Sequence, residues 1–116
     1  MKTIWKYELE GPHTAPALPL GAKVIHFGMQ SKGVGDGGYE RFGFFIWVEF
    51  DMVDSPPAPA EARLLSVFPT GEALPAIDGF EFHHVQTIQV KHAGPEIVWH
   101  LYEQVPVPTH NPNDPY

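Results

Sequence analysis

The sequence feature that most constrains the fold is an unbroken alternation of apolar side chains along the segment from Arg41 to Met52. Every second position of this segment is apolar, namely Phe42, Phe44, Ile46, Val48, Phe50 and Met52. Because successive side chains of a strand point to opposite faces, a period of two predicts a β-strand with one buried row, and helical spacing explains it poorly. The opposite row contains Phe45 and Trp47. The strand is therefore either central and covered on both faces, which we expect, or it presents an aromatic patch to a partner.

The rest of the chain consists of short apolar runs separated by turn residues. Its 116 residues include 11 Gly and 13 Pro, clustered between the apolar runs, as is typical of short strands joined by turns. We predict six strands, over Lys2–Leu9, Lys23–Gln30, Arg41–Met52, Ala62–Phe68, Glu81–Lys91 and Glu96–Gln104. The expected buried rows of the first two are Trp5, Tyr7 and Leu9, and Ile25, Phe27 and Met29. The predicted fold is all-β and mostly antiparallel, a single small β-sandwich or open barrel with at most one short helical turn, at Glu72–Leu74.

The connecting segments are rich in proline and glycine. The two prolines of Thr14–Leu20 cannot donate ladder hydrogen bonds, so this segment is predicted to be an extended connection. Ser31–Gly38 is predicted to be a glycine-rich hairpin loop, and His92–Pro95 a hairpin connection. We expect one β domain over residues 1–104 and a proline-rich tail over residues 105–116.

Composition excludes several classes of protein. Hydrophobic residues make up 43% and charged residues 18%, which predicts a folded chain rather than a disordered one. The net charge of −7 and the seven scattered Lys and Arg residues argue against binding to duplex nucleic acid. The chain has no cysteine, which excludes disulfides and thiolate chemistry and fits a reducing cytosol. No apolar run is long enough for a signal-peptide core or a membrane span, so we expect no membrane partner.

The sequence contains the glycine spacing of a dinucleotide-binding motif but not the structural context that the motif needs. The match to G-x-G-x-x-G consists of Gly33, Gly35 and Gly38. The true fingerprint needs a following helix, whose N-terminus supplies the donors for a pyrophosphate, whereas here a strand pattern follows. The sequence therefore predicts a hairpin loop and no nucleotide cofactor.

Residues for acid–base or nucleophilic catalysis also lack the required context. The serines Ser31, Ser55 and Ser66 do not stand in a nucleophile elbow. Glu49 and Asp51 share a strand face and form a conceivable acid–base pair, but charged residues on a solvent-facing strand surface are common. We therefore predict that the protein is not an enzyme and that it needs no cofactor.

Histidines are abundant for so short a chain, namely His13, His26, His83, His84, His92, His100 and His110. The adjacent pair His83 and His84 points to opposite faces of a strand, so both cannot bind one ion without a bulge. One of them, with His100 and Glu81, would make a donor set suited to zinc or iron. Strand spacing alone is unspecific, and the sequence predicts hydrogen-bonded or surface histidines rather than a metal site.

The strongest candidate for binding is a combination of aromatic and guanidinium groups. Phe45 and Trp47 with Arg41 and Arg63 could stack on and clamp a small anionic or planar ligand. The alternative for the two aromatic residues is packing inside the protein. Together with two histidines, the expected ligand-binding or partner-binding set is Arg41, Phe45, Trp47, Arg63, His84 and His100.

Five segments lie along the length of the chain, namely Met1–Leu9, Gly21–Val24, Thr70–Glu72, Val85–Thr87 and Val98–Glu103. They resemble segments of an uncharacterised family of small proteins from actinobacterial phages and their hosts. The resemblance spans nearly the whole predicted domain. It implies a compact β protein of phage or prophage origin, and it supplies no catalytic residues.

These observations favour a non-enzymatic binding protein in the host cytoplasm. We expect it to associate with itself, as a homo-oligomer, or with a host or phage protein, through β edges or the aromatic face. One alternative is a protein that sequesters a small nucleotide signal and so counters host defence. Another is an accessory or structural protein of the virion.

Overall fold

The computed structural model describes residues 1–52, 59–91 and 96–107. In chain order the strands of these ranges are β1 (Lys2–Leu9), β2 (His13–Thr14), β3 (Ala17–Pro19), β4 (Lys23–Val34), β5 (Glu40–Asp51), β6 (Ala60–Ala62), β7 (Leu64–Pro69), β8 (Phe80–Val90) and β9 (Ile97–Pro106). The six long strands match the six predicted ones except that β4 continues to Val34, so the first half of the predicted loop Ser31–Gly38 is paired strand. β2, β3 and β6 are additional short strands. The predicted connection over His92–Pro95 and the tail beyond residue 107 lie outside the described residues.

The strands form two main sheets that pack face to face. Their orders are β1-β5-β4 in a three-stranded sheet and β2-β7-β9-β8 in a four-stranded sheet, with β3 and β6 as a separate pair. Each of these pairings is antiparallel. Phe44 of β5 contacts Trp99 of β9 across the interface, with ring centroids 5.0 Å apart. The predicted all-β, antiparallel, sandwich-like fold is confirmed, and within the described residues neither main sheet closes into a barrel.

An apolar core lies between the two main sheets. Its largest fully buried side chains are Leu18, Phe27, Ile46, Val48, Leu65 and Leu101. They come from both sheets and from the short strand β3, so the β3–β6 pair covers part of the same core. Burial of this surface is the main stabilising contribution, at about 25 cal/mol per Å² of apolar area removed from water.

The alternation predicted for β5 is present in its central part. Ile46, Val48 and Phe50 are buried, whereas Trp47 on the opposite face is only half-buried. The prediction that Met52 continues the buried row is wrong, because the strand ends at Asp51 and Met52 is 47% exposed. The strand is central, as expected, since it lies between β1 and β4. In the described part of the chain, the ring contacts on its second face come from side chains of its own sheet, His26 and Lys6.

A bulge breaks the row predicted for β4. The register with β5 shifts between Val24 and His26, so Ile25 is the extra residue of the bulge and is 40% exposed. Phe27 and Met29 lie opposite Ile46 and Phe44 and face the other sheet. The predicted shared face of Ile25 with Phe27 is therefore wrong, because an inserted residue reverses the side-chain direction locally.

The proline-rich segment after β1 is paired, contrary to prediction. β2 pairs with β7, and β3 pairs with β6. The prolines take part as acceptors, since the carbonyl oxygens of Pro12 and Pro16 accept from the N–H groups of Val67 and Arg63 at 2.8 and 3.1 Å. Proline is tolerated in an edge strand when its missing N–H would face away from the ladder.

The helical turn predicted at Glu72–Leu74 is absent. A tight turn follows β7 instead, in which the Glu72 N–H donates to the Pro69 carbonyl at 3.2 Å. Gly71 has φ of +96°, a left-handed conformation that interrupts a right-handed helical turn. The chain then continues without helix to β8, and the Gly79 carbonyl accepts from Val107 just after β9.

Candidate functional site

The outer face of the three-stranded sheet, defined by Ile4, Lys6, His26, Phe45 and Trp47, carries the predicted aromatic pair. Period-two alternation places Phe45 and Trp47 on the same face of β5. Trp47 lies opposite Lys6 of β1 on one side and opposite His26 of β4 on the other. The two rings therefore occupy the centre of this face.

Side chains of the same sheet support both rings at their edges. The His26 ring lies 4.9 Å from the Trp47 ring, at an interplanar angle of 55°. The Lys6 ammonium lies 5.0 Å from the Phe45 ring centroid, within range of a cation–π contact. It also donates to the Gln30 side chain at 3.2 Å. These contacts hold the rings in place and leave both of them half-buried.

An ion pair crosses the sheet beside the aromatic pair. Lys32 of β4 reaches Glu8 of β1 over the intervening strand, with Nζ and Oε1 2.5 Å apart. It passes over Gly43, where a Cβ atom would lie 2.7 Å from the Lys32 Cδ. A residue without a side chain at this position of β5 thus keeps the path open. The result is an apolar centre bounded by a charged edge.

The two predicted arginines are not brought to the aromatic pair. Arg41 is exposed at the start of β5, and its side chain lies over Gly35 of the hairpin loop. Arg63 lies between β6 and β7, where Nε and Nη2 donate to the Glu103 carboxylate at 2.6 and 2.7 Å. Its Nη1 donates to the Ala22 carbonyl. The hydrogen bonds to Glu103 raise the pKa of Arg63 although burial opposes them. Together with the bond to Ala22 they occupy the guanidinium in structural contacts.

His84 and His100 are brought together, but on the other main sheet. His84 Nε2 and His100 Nδ1 lie 2.7 and 2.8 Å from the Thr87 hydroxyl, and His100 Nε2 lies 2.7 Å from the Thr70 hydroxyl. His83 points to the opposite face, as alternation predicts, and pairs with Glu81 at 2.6 Å. Within the described ranges no group of three metal-ligating side chains converges.

A cleft of about 350 Å³ opens between the two main sheets beside the Glu8–Lys32 pair. Its apolar lining includes Leu9, Phe44, Val67 and Trp99. Glu8, Glu10 and Lys32 line its charged rim. An apolar floor with a few polar groups at the mouth is typical of a small-molecule pocket.

Comparison with known proteins places this chain in a family. A family model for a domain of unknown function, DUF7352, matches residues 1–111. The chain belongs to the DUF7352 family. The match spans all the described strands, which agrees with the expected membership of an uncharacterised family. No curated protein and no solved structure matches the chain. Among the residues described for this DUF7352 member, no helix is long and apolar enough to cross a bilayer.

Sequence reasoning missed two features of this DUF7352 protein. The first is a cluster of aromatic rings on the four-stranded sheet, in which Phe68 lies 5.6 Å from Phe82 and 6.0 Å from Tyr102. The sequence does contain an indication of this cluster. Phe82 and His84 are two residues apart on β8, as His100 and Tyr102 are on β9, so each pair shares a face of its strand. The second is the cleft between the sheets, which no local pattern reveals because its lining comes from several separate strands.

Proposed function

We propose that this DUF7352 protein is a non-enzymatic binding protein that works through protein–protein contact, with the outer face of the three-stranded sheet as its contact surface. The observation that carries the proposal is the position of Phe45 and Trp47. They are adjacent and half-buried, and no strand of the described chain packs over them. Aromatic residues dominate binding energy at protein interfaces because they supply a large contact area with few rotatable bonds.

The surroundings of the aromatic pair support a contact surface. Lys6, Lys32 and Glu8 surround the rings with charges of both signs. An apolar centre inside a polar rim is the usual anatomy of an interface hot spot, because the rim keeps water away from the central contacts. The ring contacts of Trp47 and Phe45 also pre-orient both side chains, which reduces the entropy lost on binding.

The partner that we propose is a host or phage protein met in the host cytoplasm. This part of the proposal is supported by the resemblance of segments such as Met1–Leu9 to proteins of actinobacterial phages and their hosts. The identity of the genes that flank those encoding other DUF7352 members tests this part of the proposal. Neighbouring phage structural or replication genes are expected, and neighbours consisting throughout of ordinary metabolic genes would contradict a phage origin.

The contact surface is tested by photocrosslinking in the producing cell. A benzophenone amino acid replaces Phe45, which keeps an aromatic ring at the centre of the surface. The matched control carries the same group at Glu72, an exposed residue of the turn after β7. We expect a cross-linked product of one defined mass from position 45 and none from position 72.

A second variant separates binding from folding. Trp47→Ala in the chain with the crosslinker at position 45 should abolish the product, while the melting temperature falls by only a few degrees because Trp47 is half-buried. No product from a folded position-45 variant, or equal products from positions 45 and 72, would refute the proposed surface. A product of twice the chain mass identifies a second copy as the partner.

A second candidate function, binding of a small molecule, is favoured by the cleft between the sheets. Its rim carries Glu8 and Glu10 beside a single Lys32, so it suits a neutral or cationic planar ligand better than a nucleotide. A ligand that binds the folded state must raise its melting temperature. A thermal-shift comparison of nucleotides with neutral and cationic heteroaromatic compounds tests this function, and Trp99→Ala should remove any shift.

A further inference from the structure

β1 is an edge strand without the irregularities that usually protect such edges. In the described part of the chain it pairs only with β5, over eight consecutive residues and without a register shift. The edge strands β4 and β8, by contrast, both contain bulges. Bulges twist an edge away from further pairing, so a long regular edge is a template for another strand.

The backbone groups that face outward from β1 can be assigned. Met52 N–H donates to the Met1 carbonyl at 2.8 Å, which makes these two residues a hydrogen-bonded pair. Hydrogen-bonded and non-hydrogen-bonded pairs alternate along an antiparallel ladder. The odd-numbered residues of β1 therefore bond to β5. The N–H and C=O groups of the even-numbered residues point away from the sheet, and these residues are Lys2, Ile4, Lys6 and Glu8.

The same edge exposes two large apolar side chains. Ile4 is 52% exposed and Trp5 is 50% exposed, although alternation predicted that Trp5 is buried. The Trp5 and Phe50 rings make an edge-to-face contact with centroids 4.9 Å apart, and about half of the Trp5 surface stays exposed. A second strand beside β1 would cover both side chains.

We propose that β1 pairs antiparallel with β1 of a second copy of this chain, with Trp5 opposite Trp5. This proposal rests on one form of the proposed function, self-association, and it names a second copy of the chain as the partner. Charge selects the register: Lys2 lies opposite Glu8 of the other copy, and Ile4 opposite Lys6. A shift by two residues in one direction sets Lys2 against Lys6, and in the other sets Lys6 against Lys6. Like charges directly opposite each other are unfavourable in a sheet.

The proposed register adds further favourable contacts. Its four hydrogen-bonded pairs give about eight backbone hydrogen bonds between the copies. Trp5 meets its counterpart at a non-hydrogen-bonded position, where strands approach most closely. Lys2 already lies 3.3 Å from Glu49, and Glu8 lies 2.5 Å from Lys32. Pairing Lys2 with Glu8 of the other copy therefore joins these pairs into a row of alternating charges.

The dimer would also present two contact surfaces together. Antiparallel pairing of two edges relates the copies by a two-fold axis perpendicular to the sheet, so both outer faces lie on the same side. The two β5 strands are then three strand spacings, about 14 Å, apart. Trp47 of each copy would thus contribute to one continuous surface.

Single-cysteine variants test the register, because the chain has no cysteine of its own. In the proposed register only position 5 faces itself, with a Cα separation of about 4.5 Å that a disulfide can bridge. Under mild oxidation we expect Trp5→Cys to form a covalent dimer quickly, and Ile4→Cys and Lys6→Cys to do so slowly. Faster cross-linking at position 4 or 6, or none at position 5 in a folded protein, would overturn the proposal.

A charge exchange tests the same register without loss of Trp5. Lys2→Glu and Glu8→Lys should each weaken the dimer about tenfold, since each change places like charges opposite each other twice. The double variant should restore the dimer, even though its charges no longer suit Glu49 and Lys32 within each copy. Lys91→Glu, away from β1, is the control for net charge. The readout is mass by light scattering across a dilution series, and a double variant weaker than both single variants would contradict the pairing.

The two proposals fail in distinguishable ways. A chain that is monomeric at every concentration, but still gives one defined product from position 45, overturns the β1 dimer and keeps the proposed function. A concentration-dependent dimer with no product from position 45 overturns the proposed contact surface and keeps the β1 pairing.

Discussion

Replacement of Arg63 by methionine tests whether this residue serves the fold or a ligand. Methionine keeps much of the apolar side-chain volume and removes the guanidinium. In the folded chain the guanidinium donates twice to Glu103 and once to the Ala22 carbonyl. Arg63→Met would leave this carboxylate and this carbonyl without the donor that now satisfies them.

The expected magnitude follows from burial and geometry. The side chains of Arg63 and Glu103 are only 16% and 20% exposed, so water can replace the lost donor only in part. Hydrogen bonds to charged groups contribute about 1.5–3 kcal/mol each, and breaking a buried ion pair on one side costs about 3–5 kcal/mol. With a discount for the remaining exposure, Arg63→Met should lower the free energy of unfolding by about 2–4 kcal/mol. An ordinary surface pair would contribute about 0–1 kcal/mol.

Urea unfolding followed by circular dichroism measures this loss, provided that the transition is two-state. Arg63→Lys should recover little, because an ammonium cannot reproduce the two-pronged contact with a carboxylate. The double variant Arg63→Met with Glu103→Met should be more stable than Arg63→Met alone, since it removes the stranded carboxylate. A loss of less than about 0.5 kcal/mol for Arg63→Met would refute the structural role and return Arg63 to the candidate ligand-binding residues.

Three further outcomes are expected. Leu101→Ala, in the centre of the core, should cost about 2–5 kcal/mol in urea unfolding, because it leaves a cavity between the sheets; a loss below 1 kcal/mol would contradict the core assignment. Gly71→Ala should lower the free energy of unfolding by about 1–2 kcal/mol, because φ at Gly71 is +96°. Gly11→Ala should leave it nearly unchanged, because no atom lies near the added Cβ. Equal effects of the two changes would contradict the strained turn. Burial raises the pKa of Tyr7 above 10.0, so the unfolded state loses this proton first and stability falls as pH rises above about 10. Melting temperatures should show a smaller alkaline loss for Tyr7→Phe than for the exposed control Tyr39→Phe.

Much of the architecture was predictable because it depends on local alternation. The long strands β1, β4, β5, β8 and β9 were each predicted to within a few residues at both ends. The errors have identifiable causes. Ile25 left its predicted row because a bulge inserts one residue. The segment of β2 and β3 was misjudged because the carbonyls of Pro12 and Pro16, which flank these strands, still accept hydrogen bonds. Alternation along one strand reveals neither a bulge nor the hydrogen bonds that proline carbonyls accept from another strand.

The candidate site was predictable only where one strand supplies it. Phe45 and Trp47 share a face because they are two residues apart on β5, and the sequence states this directly. The partners of Arg63 were not predictable, because Glu103 lies forty residues away and approaches through the pairing of β7 with β9. For the same reason the sequence could not separate Arg63 from the aromatic pair.

By itself the sequence determined which segments form strands and which side chains of each regular strand share a face, because these properties follow from the geometry of a single strand. The short connections rich in glycine and proline predicted that these strands pair antiparallel. Only the tertiary structure decided which faces were covered. The order of the strands places β5 at the centre of its sheet with a half-buried aromatic pair, and leaves β1 at an edge with Trp5 half exposed. Burial depends on which strands become neighbours, and that is settled by long-range pairing and packing of the two sheets.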